Sequence, residues 1–199
     1  MTSSTPPDHE LVTVVIPVYN QIATLLRAIQ SVQTQTYPHW EAWIVDDGSD
    51  CEIASVIQQM GDSRVHYLRL SRHQNANIAR NAGILQAKGQ YIAMLDSDDE
   101  WLPEHLEKSY QCLKKHQADG IYGSLIIDHI ACQQTITVHP IGKEETTIDY
   151  LLRNGYRAQT STLFMTTPSA RTILWDPSLN RHQDYDFIVR YTPKYRLQA

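Results

Sequence analysis

The run Leu11 to Ile16, LVTVVI, constrains the fold more than any other stretch of this 199-residue chain. A nearly continuous apolar, β-branched run leaves neither side of a strand for water. Such a strand belongs inside a parallel sheet that is covered on both faces. Pro17 stops the run, and Ile22, Leu25, Leu26, Ile29 and Val32 then recur at helical spacing. The unit repeats. Trp40 to Val45 reads as a strand, Asp46-Asp47-Gly48-Ser49 as a turn, and Ile53 to Met60 as a helix before Gly61. A third strand, Val65 to Leu70, precedes a helix from Ile78 to Ala87 with Lys88-Gly89 as its C-cap. A fourth, Tyr91 to Leu95, ends in Asp96-Ser97-Asp98-Asp99. Strands alternating with helices at this spacing predict an α/β fold: a Rossmann-like, open, mostly parallel sheet with helices on both faces.

Beyond residue 100 the rhythm loosens. Pro103 suits the first residue of a helix reaching about His116. Candidate strands follow at Gly120 to Ile127 and Thr135 to Val138. Short helices are expected at Ile148 to Arg153, closed by Asn154-Gly155, at Pro168 to Leu174 and at Asp184 to Tyr191. No repeat of 20 to 50 residues and no low-complexity linker divides the chain. It reads as a disordered polar tail, 1–10, and a single domain, 11–199.

With 42% apolar and 20% charged residues the chain is an ordinary globular one. Its formal charge of −5 argues against bulk attraction to nucleic acid or anionic lipid. Cys51, Cys112 and Cys132 are odd in number and widely spaced, so they read as reduced thiols of a cytoplasmic protein rather than a disulfide framework. Neither a signal-peptide core nor a transmembrane run is visible. If the protein works on a membrane-bound substrate, peripheral association at the inner face has to bring it there.

Ligands of open parallel sheets bind in the crevice beyond the carboxyl ends of the strands. Pro17 to Asn20 follow the first strand, Asp46 and Asp47 the second, and Asp96 and Asp98 the fourth. Carboxylates scattered over the sequence therefore converge on one edge. They would repel a diphosphate unless a hard divalent cation such as Mg²⁺ or Mn²⁺ lay between, which makes a metal-bound nucleotide the fitting ligand. There is no GxxxxGK[ST] phosphate loop and no GxGxxG after the first strand, so P-loop and dinucleotide-binding readings lose support. Residues 11–100 form a nucleotide-binding half, and 101–199 a half able to hold an acceptor.

Four segments carry a family resemblance: Val14-Val15-Ile16-Pro17-Val18-Tyr19-Asn20, Val45-Asp46-Asp47-Gly48-Ser49, Ala79-Arg80-Asn81-Ala82-Gly83, and Tyr91-Ile92-Ala93-Met94-Leu95-Asp96-Ser97-Asp98-Asp99. In this order and spacing they resemble the family 2 glycosyltransferases of the GT-A fold, strongly over residues 11–110. The resemblance implies an inverting, metal-dependent transfer from a nucleotide-sugar, a UDP-sugar foremost, to a glycan or lipid-linked acceptor. It implies that Pro17, Val18, Tyr19 and Asn20 hold the nucleotide, with the Tyr19 ring near the base. Of Asp46 and Asp47, the second would accept from a pyrimidine N–H. Asp96 and Ser97 would lie toward the ribose, Asp98 would bind Mn²⁺ or Mg²⁺, and Arg80 would support the acidic cluster or the phosphates. Related sequences often carry a glycine where this chain has His73-Gln74-Asn75-Ala76-Asn77, which leaves phosphate contacts by Asn75 or Asn77 without support. Arg181-His182-Gln183-Asp184-Tyr185-Asp186-Phe187 resembles the Glu-Asp-x-Asp segment of inverting members, with Gln183 in place of glutamate. Asp184 is the implied general base and Asp186 the runner-up.

Singly, each residue has an ordinary explanation. Asp-Asp-Gly-Ser suits a surface turn, Asp96 to Asp99 a helix start, and Asp184 an N-cap. Arg80 suits a structural ion pair, Trp101 and Trp175 suit the core, and the nine histidines show no ligand spacing. Two other functions compete. One is a sugar-nucleotide binder without transfer activity, since only 15 residues follow Asp184 whereas family members usually continue. The other is a nucleotidyltransferase, which would need a glycine-rich basic loop where Pro17 to Gln21 stands.

Overall fold

A computed structural model of the chain describes residues 10–129, 132–142, 145–154 and 159–199. The expected disordered tail lies outside these residues except for Glu10, and so does Gly155 of the expected helix stop. The first half follows the periodicity closely: β1 Val12–Val18, α1 Ile22–Gln33, β2 Trp40–Asp46, α2 Ile53–Met60, β3 Val65–Arg69, α3 Ala76–Gln86 and β4 Tyr91–Met94. The second half is α4 His105–His116, β5 Gly120–Ile121, β6 Leu125–His129, β7 Cys132–Ile136, α5 Thr147–Asn154, β8 Phe164–Thr166, α6 Thr167–Ile173, α7 Gln183–Tyr191 and β9 Leu197–Gln198. A short 3₁₀ turn, Thr160–Thr162, precedes β8.

Seven strands form one sheet in the order β3-β2-β1-β4-β8-β5-β9, and β6 pairs with β7 in a separate hairpin. The β3-β2-β1-β4 portion is parallel. Every residue of β1 is buried, as its apolar run requires. Val12, Val14 and Ile16 join Leu25, Ile29 and Ile44 in one core layer, while Val15 joins Ile84, Met94, Trp175 and Phe187 in the other. This period of two sends alternate side chains to opposite faces of the sheet. Because β2 and β3 lie to one side of β1 and β4 to the other, strand order reverses between β1 and β4. That reversal opens a crevice beyond their carboxyl ends.

Several expectations need correction. Pro17 does not stop β1, which runs on to pair Pro17 with Val45 and Val18 with Asp46. The Val15 carbonyl accepts from the Leu95 N–H, so Pro17, two residues on, faces the same side beyond the end of β4, where a missing N–H costs no ladder bond. Gly89 is not the cap of α3. Ala87 ends that helix, and a Cβ on Gly89 would lie 2.6 Å from the Leu11 carbonyl oxygen, so the glycine lets the chain cross close to β1. Helix α4 begins at His105 rather than Pro103, whose carbonyl instead accepts from the Thr36 N–H. The single strand expected over Gly120 to Ile127 is divided into β5 and β6. Strand β8, too short to register as a pattern, lies antiparallel between β4 and β5.

Candidate active site

A cleft of about 290 Å³ opens at the β1/β4 switch point. Of the expected residues, Pro17, Val18, Tyr19, Asp47, Arg80, Asp96, Ser97 and Asp98 line it, joined by Gln21, His73 and Ala76. Three expected residues do not: Asp46, Asn20 and Asp184, the last of which lies on α7, described below. Asp46 is fully buried: one carboxylate oxygen accepts from the Ser49 N–H at 2.8 Å and the other from the Tyr67 hydroxyl at 2.6 Å. Its work is to close the turn after β2. Asn20, at φ 54°, donates to Asp50 and accepts from the Asp50 N–H at 2.8 Å, which latches the β1 loop onto that turn.

The turn itself depends on Gly48. Its φ is +78°, and a Cβ there would lie 2.5 Å from the backbone of Arg72 and His73. Only glycine lets the loop after β3 rest directly on the turn. Asp47 consequently receives the Gln74 N–H on both oxygens, at 3.1 and 3.2 Å, and His73 Nδ1 at 2.8 Å. Burial raises its carboxyl above the usual range, against the pull of these donors. Tyr19 stands exposed at the mouth, with its ring stacked on the His73 imidazole at 3.8 Å between centroids.

At the other wall, the loop after β4 is held by Ser161, which sequence reading passed over. The Ser161 hydroxyl accepts from the Asp96 N–H at 3.0 Å and donates to Asp99 at 2.6 Å. The Trp101 indole donates to the Ser161 carbonyl at 2.7 Å. Ser97 donates to Gln21. Asp98 is exposed and, among the described residues, has no hydrogen-bond or ion-pair partner. No cluster of three His, Cys, Asp or Glu side chains among the described residues is poised to hold a metal unaided. Asp98, with the Asp96 oxygen that has no partner among the described residues, instead suits a hard cation whose remaining ligands would be substrate phosphate oxygens.

Arg80 joins the two halves of the site. It is 5% exposed and donates to Asp96 at 2.7 Å, to Asn77 at 2.9 Å and to Gln183 at 2.8 Å, with its guanidinium 4.8 Å from the Trp175 ring centre. The surrounding asparagines explain the Ala-Arg-Asn-Ala-Gly motif and its neighbours. Asn81 exchanges two hydrogen bonds with the Trp175 backbone, Asn77 donates to the Asp176 carbonyl, and Asn75 caps α3 while donating to the Pro177 carbonyl. These side chains lash α3 to segment 175–179 and are committed to it rather than to phosphate. Trp101 and Trp175 are core residues, 8% and 1% exposed.

Asp184 and Asp186 both lie in the first turn of α7, which His182 starts at φ 55°. Their partners differ. Asp186 holds Arg190 at 2.5 Å, and Arg190 in turn donates to the Ile173 and Leu174 carbonyls at the end of α6. Asp184 accepts from the Tyr185 N–H, at 3.0 Å, and from its own backbone N–H. Burial raises its carboxyl, and the charges of Arg80 and Asp96 are near enough to act on it. A carboxyl raised in this way takes up a proton more readily than a free aspartate does.

Residues 13–172 match the pattern that defines Glycosyl transferase family 2. The chain belongs to that family. Among similar proteins, the UDP-Glc:alpha-D-GlcNAc-diphosphoundecaprenol beta-1,3-glucosyltransferase WfgD of Escherichia coli is 32% identical over 147 residues, 74% of this chain and 57% of WfgD. Staphylococcus aureus TarS, in complex with UDP-GlcNAc, superposes with a TM-score of 0.78 at 19% identity, over 94% of this chain and 55% of TarS. The mannosyltransferase PcManGT of Pyrobaculum calidifontis, in complex with GDP-Man and Mn²⁺, gives 0.70 at 14% identity, over 94% and 54%. The fold is thus the expected GT-A fold, its mostly parallel sheet interrupted by antiparallel β8. The chain spans a little over half the length of these three proteins. No helix among the described residues is long and apolar enough to cross a membrane.

Proposed function

We propose that this domain transfers a sugar from a nucleotide-diphosphate donor, a UDP-sugar foremost, to a hydroxyl of a glycan or lipid-linked acceptor, with inversion. The observation that carries the reading is the convergence of Tyr19, Asp47, Asp96 and Asp98 on one switch-point cleft, with Asp184 electrostatically coupled to it through Arg80 and Asp96. Tyr19 offers a stacking face and Asp47 an acceptor for a base N–H. Pro17 and Val18 line the floor, and Asp96 and Ser97 lie toward the ribose. A hard divalent cation, Mn²⁺ or Mg²⁺, on Asp98 would neutralise charge on the departing diphosphate.

Asp184 takes the proton of the acceptor hydroxyl as its oxygen bonds to the anomeric carbon. The bond from that carbon to the phosphate oxygen breaks in line, and its electron pair leaves with the nucleotide. General-base assistance of this kind is worth about 10² to 10⁴-fold. Residues 11–100 serve the donor and 101–199, which carries Asp184, the acceptor. WfgD's named acceptor is a lipid-linked diphosphate. By analogy this domain works in the cytoplasm at the inner face of a membrane, without a span of its own among the described residues.

Calorimetric titration of UDP, GDP and dTDP, with and without Mn²⁺, into wild type and Asp98→Ala tests the reading. Metal-dependent binding of one nucleotide, lost in the variant, is expected. Binding indifferent to both metal and Asp98 refutes the metal assignment, and no binding of any nucleotide refutes the donor site.

A further inference from the structure

The loop after β3 places an aromatic ring where the donor-site reading needs a base. The His73 imidazole lies on the Tyr19 ring at 3.8 Å between centroids, 22° from parallel. Its Nδ1 is 2.8 Å from Asp47 Oδ2. An ionised carboxylate only accepts, so Nδ1 carries the proton and donates. A planar ring stacked on Tyr19 and giving a ring N–H to Asp47 makes the two contacts that a nucleobase would make there. The imidazole and a base cannot hold both at once.

We infer that His73 is an internal stand-in for the nucleobase, a displaceable plug that keeps the base slot filled and yields to the donor; this rests on the donor-site reading above. The construction suits a plug rather than a wall. The His73 side chain is 52% exposed, so it swings out without being extracted from the core. Its backbone stays put, because the Gln74 N–H remains bonded to both Asp47 oxygens and the Arg72–His73 peptide rests on Gly48. The slot thereby selects chemistry. It exchanges the imidazole for planar bases that offer a ring N–H, as uracil, thymine and guanine do and cytosine and adenine do not.

A stacked aromatic pair shifts an equilibrium by a factor of about two to twelve, and a ligand that must displace it loses that factor in apparent affinity. His73→Ala is therefore expected to bind UDP about two- to twelve-fold more tightly than wild type. Its affinity for pyrophosphate with Mn²⁺, which has no base to compete, should be unchanged. In the free wild-type protein the His73 ring protons, identified by their loss in His73→Ala, should resonate upfield under the Tyr19 ring current and move downfield as UDP is added. Weaker or unchanged UDP binding in the variant overturns the inference, as does UDP binding that leaves the upfield signals in place. If the upfield signals are present but UDP binds to neither protein, the donor-site reading has failed and the plug falls with it. If UDP binds but the free protein shows no upfield signals, the plug alone has failed.

Discussion

Replacing Arg80 with methionine should cost the domain about 3 kcal/mol. The side chain is 5% exposed and donates three hydrogen bonds, to Asp96, Asn77 and Gln183. The charge-assisted bond to Asp96 is worth about 1.5 to 3 kcal/mol and each neutral partner about 1. Losing one partner of a fully buried ion pair can cost about 3 to 5 kcal/mol, but Asp96 keeps 29% of its side chain in water and is not stranded. Methionine recovers about 1 kcal/mol of the loss by filling the volume beside Trp175 with an apolar chain, and it removes the Nε of Arg80, which is buried without a partner among the described residues. For a chain of this size about 3 kcal/mol lowers Tm by roughly 6 to 12 °C. Urea and thermal unfolding of both proteins, followed by circular dichroism at neutral pH, would measure it. Transfer activity should fall as well, because Gln183 and Asp96 lose the group that holds α7 against the cleft. A variant within about 1 kcal/mol of wild type would refute the view that Arg80 is the joint of the site.

Asp184→Asn should lower transfer by at least about 10²-fold while leaving nucleotide affinity within about two-fold, measured by sugar transfer and calorimetry; full activity would end the assignment. Asp186→Ala should cost only about 0.5 to 1 kcal/mol through its half-exposed pair with Arg190 and should keep transfer, so loss of activity there would make Asp186 the base. Burial beneath Trp101 pushes His105 down to about 4 from 6.5, and its Nε2 is buried without a partner among the described residues. A lowered histidine means that the unfolded chain takes up the proton first. Stability is therefore complete above pH 6.5 and falls as pH drops toward 4, by roughly 2 to 3 kcal/mol. His105→Phe, which keeps the ring stack, should flatten that part of a stability–pH curve, and an unchanged slope would count against it.

The parallel half was legible because its strands are buried on both faces, and continuous apolar runs such as Leu11 to Ile16 have few other readings. The acids at the strand ends followed from topology. What escaped was set by contacts distant in sequence. β8 is three residues long and is a strand only because β4 and β5 flank it. Ser161 carries no local signal, and its part becomes visible only when Asp96 and Asp99 are brought 65 and 62 residues back to it. Asp46 and Asp47 are neighbours of the same type, and only the direction in which each points separates a turn brace from a cleft residue. His73 was within reach, since it follows the third strand at the edge where ligands bind.

Strand β8 also bears on how such a protein can be rebuilt. The two halves read along the sequence are not two modules in space. A strand from beyond residue 160 lies against β4, and the adjoining turn holds the loop that carries Asp96 and Asp98. A chimera joined near residue 100 would graft a foreign strand beneath that loop and disturb the donor site while meaning to change only the acceptor. Exchange of acceptor preference would instead have to respect a discontinuous boundary that leaves β8 and its turn with the nucleotide-binding portion.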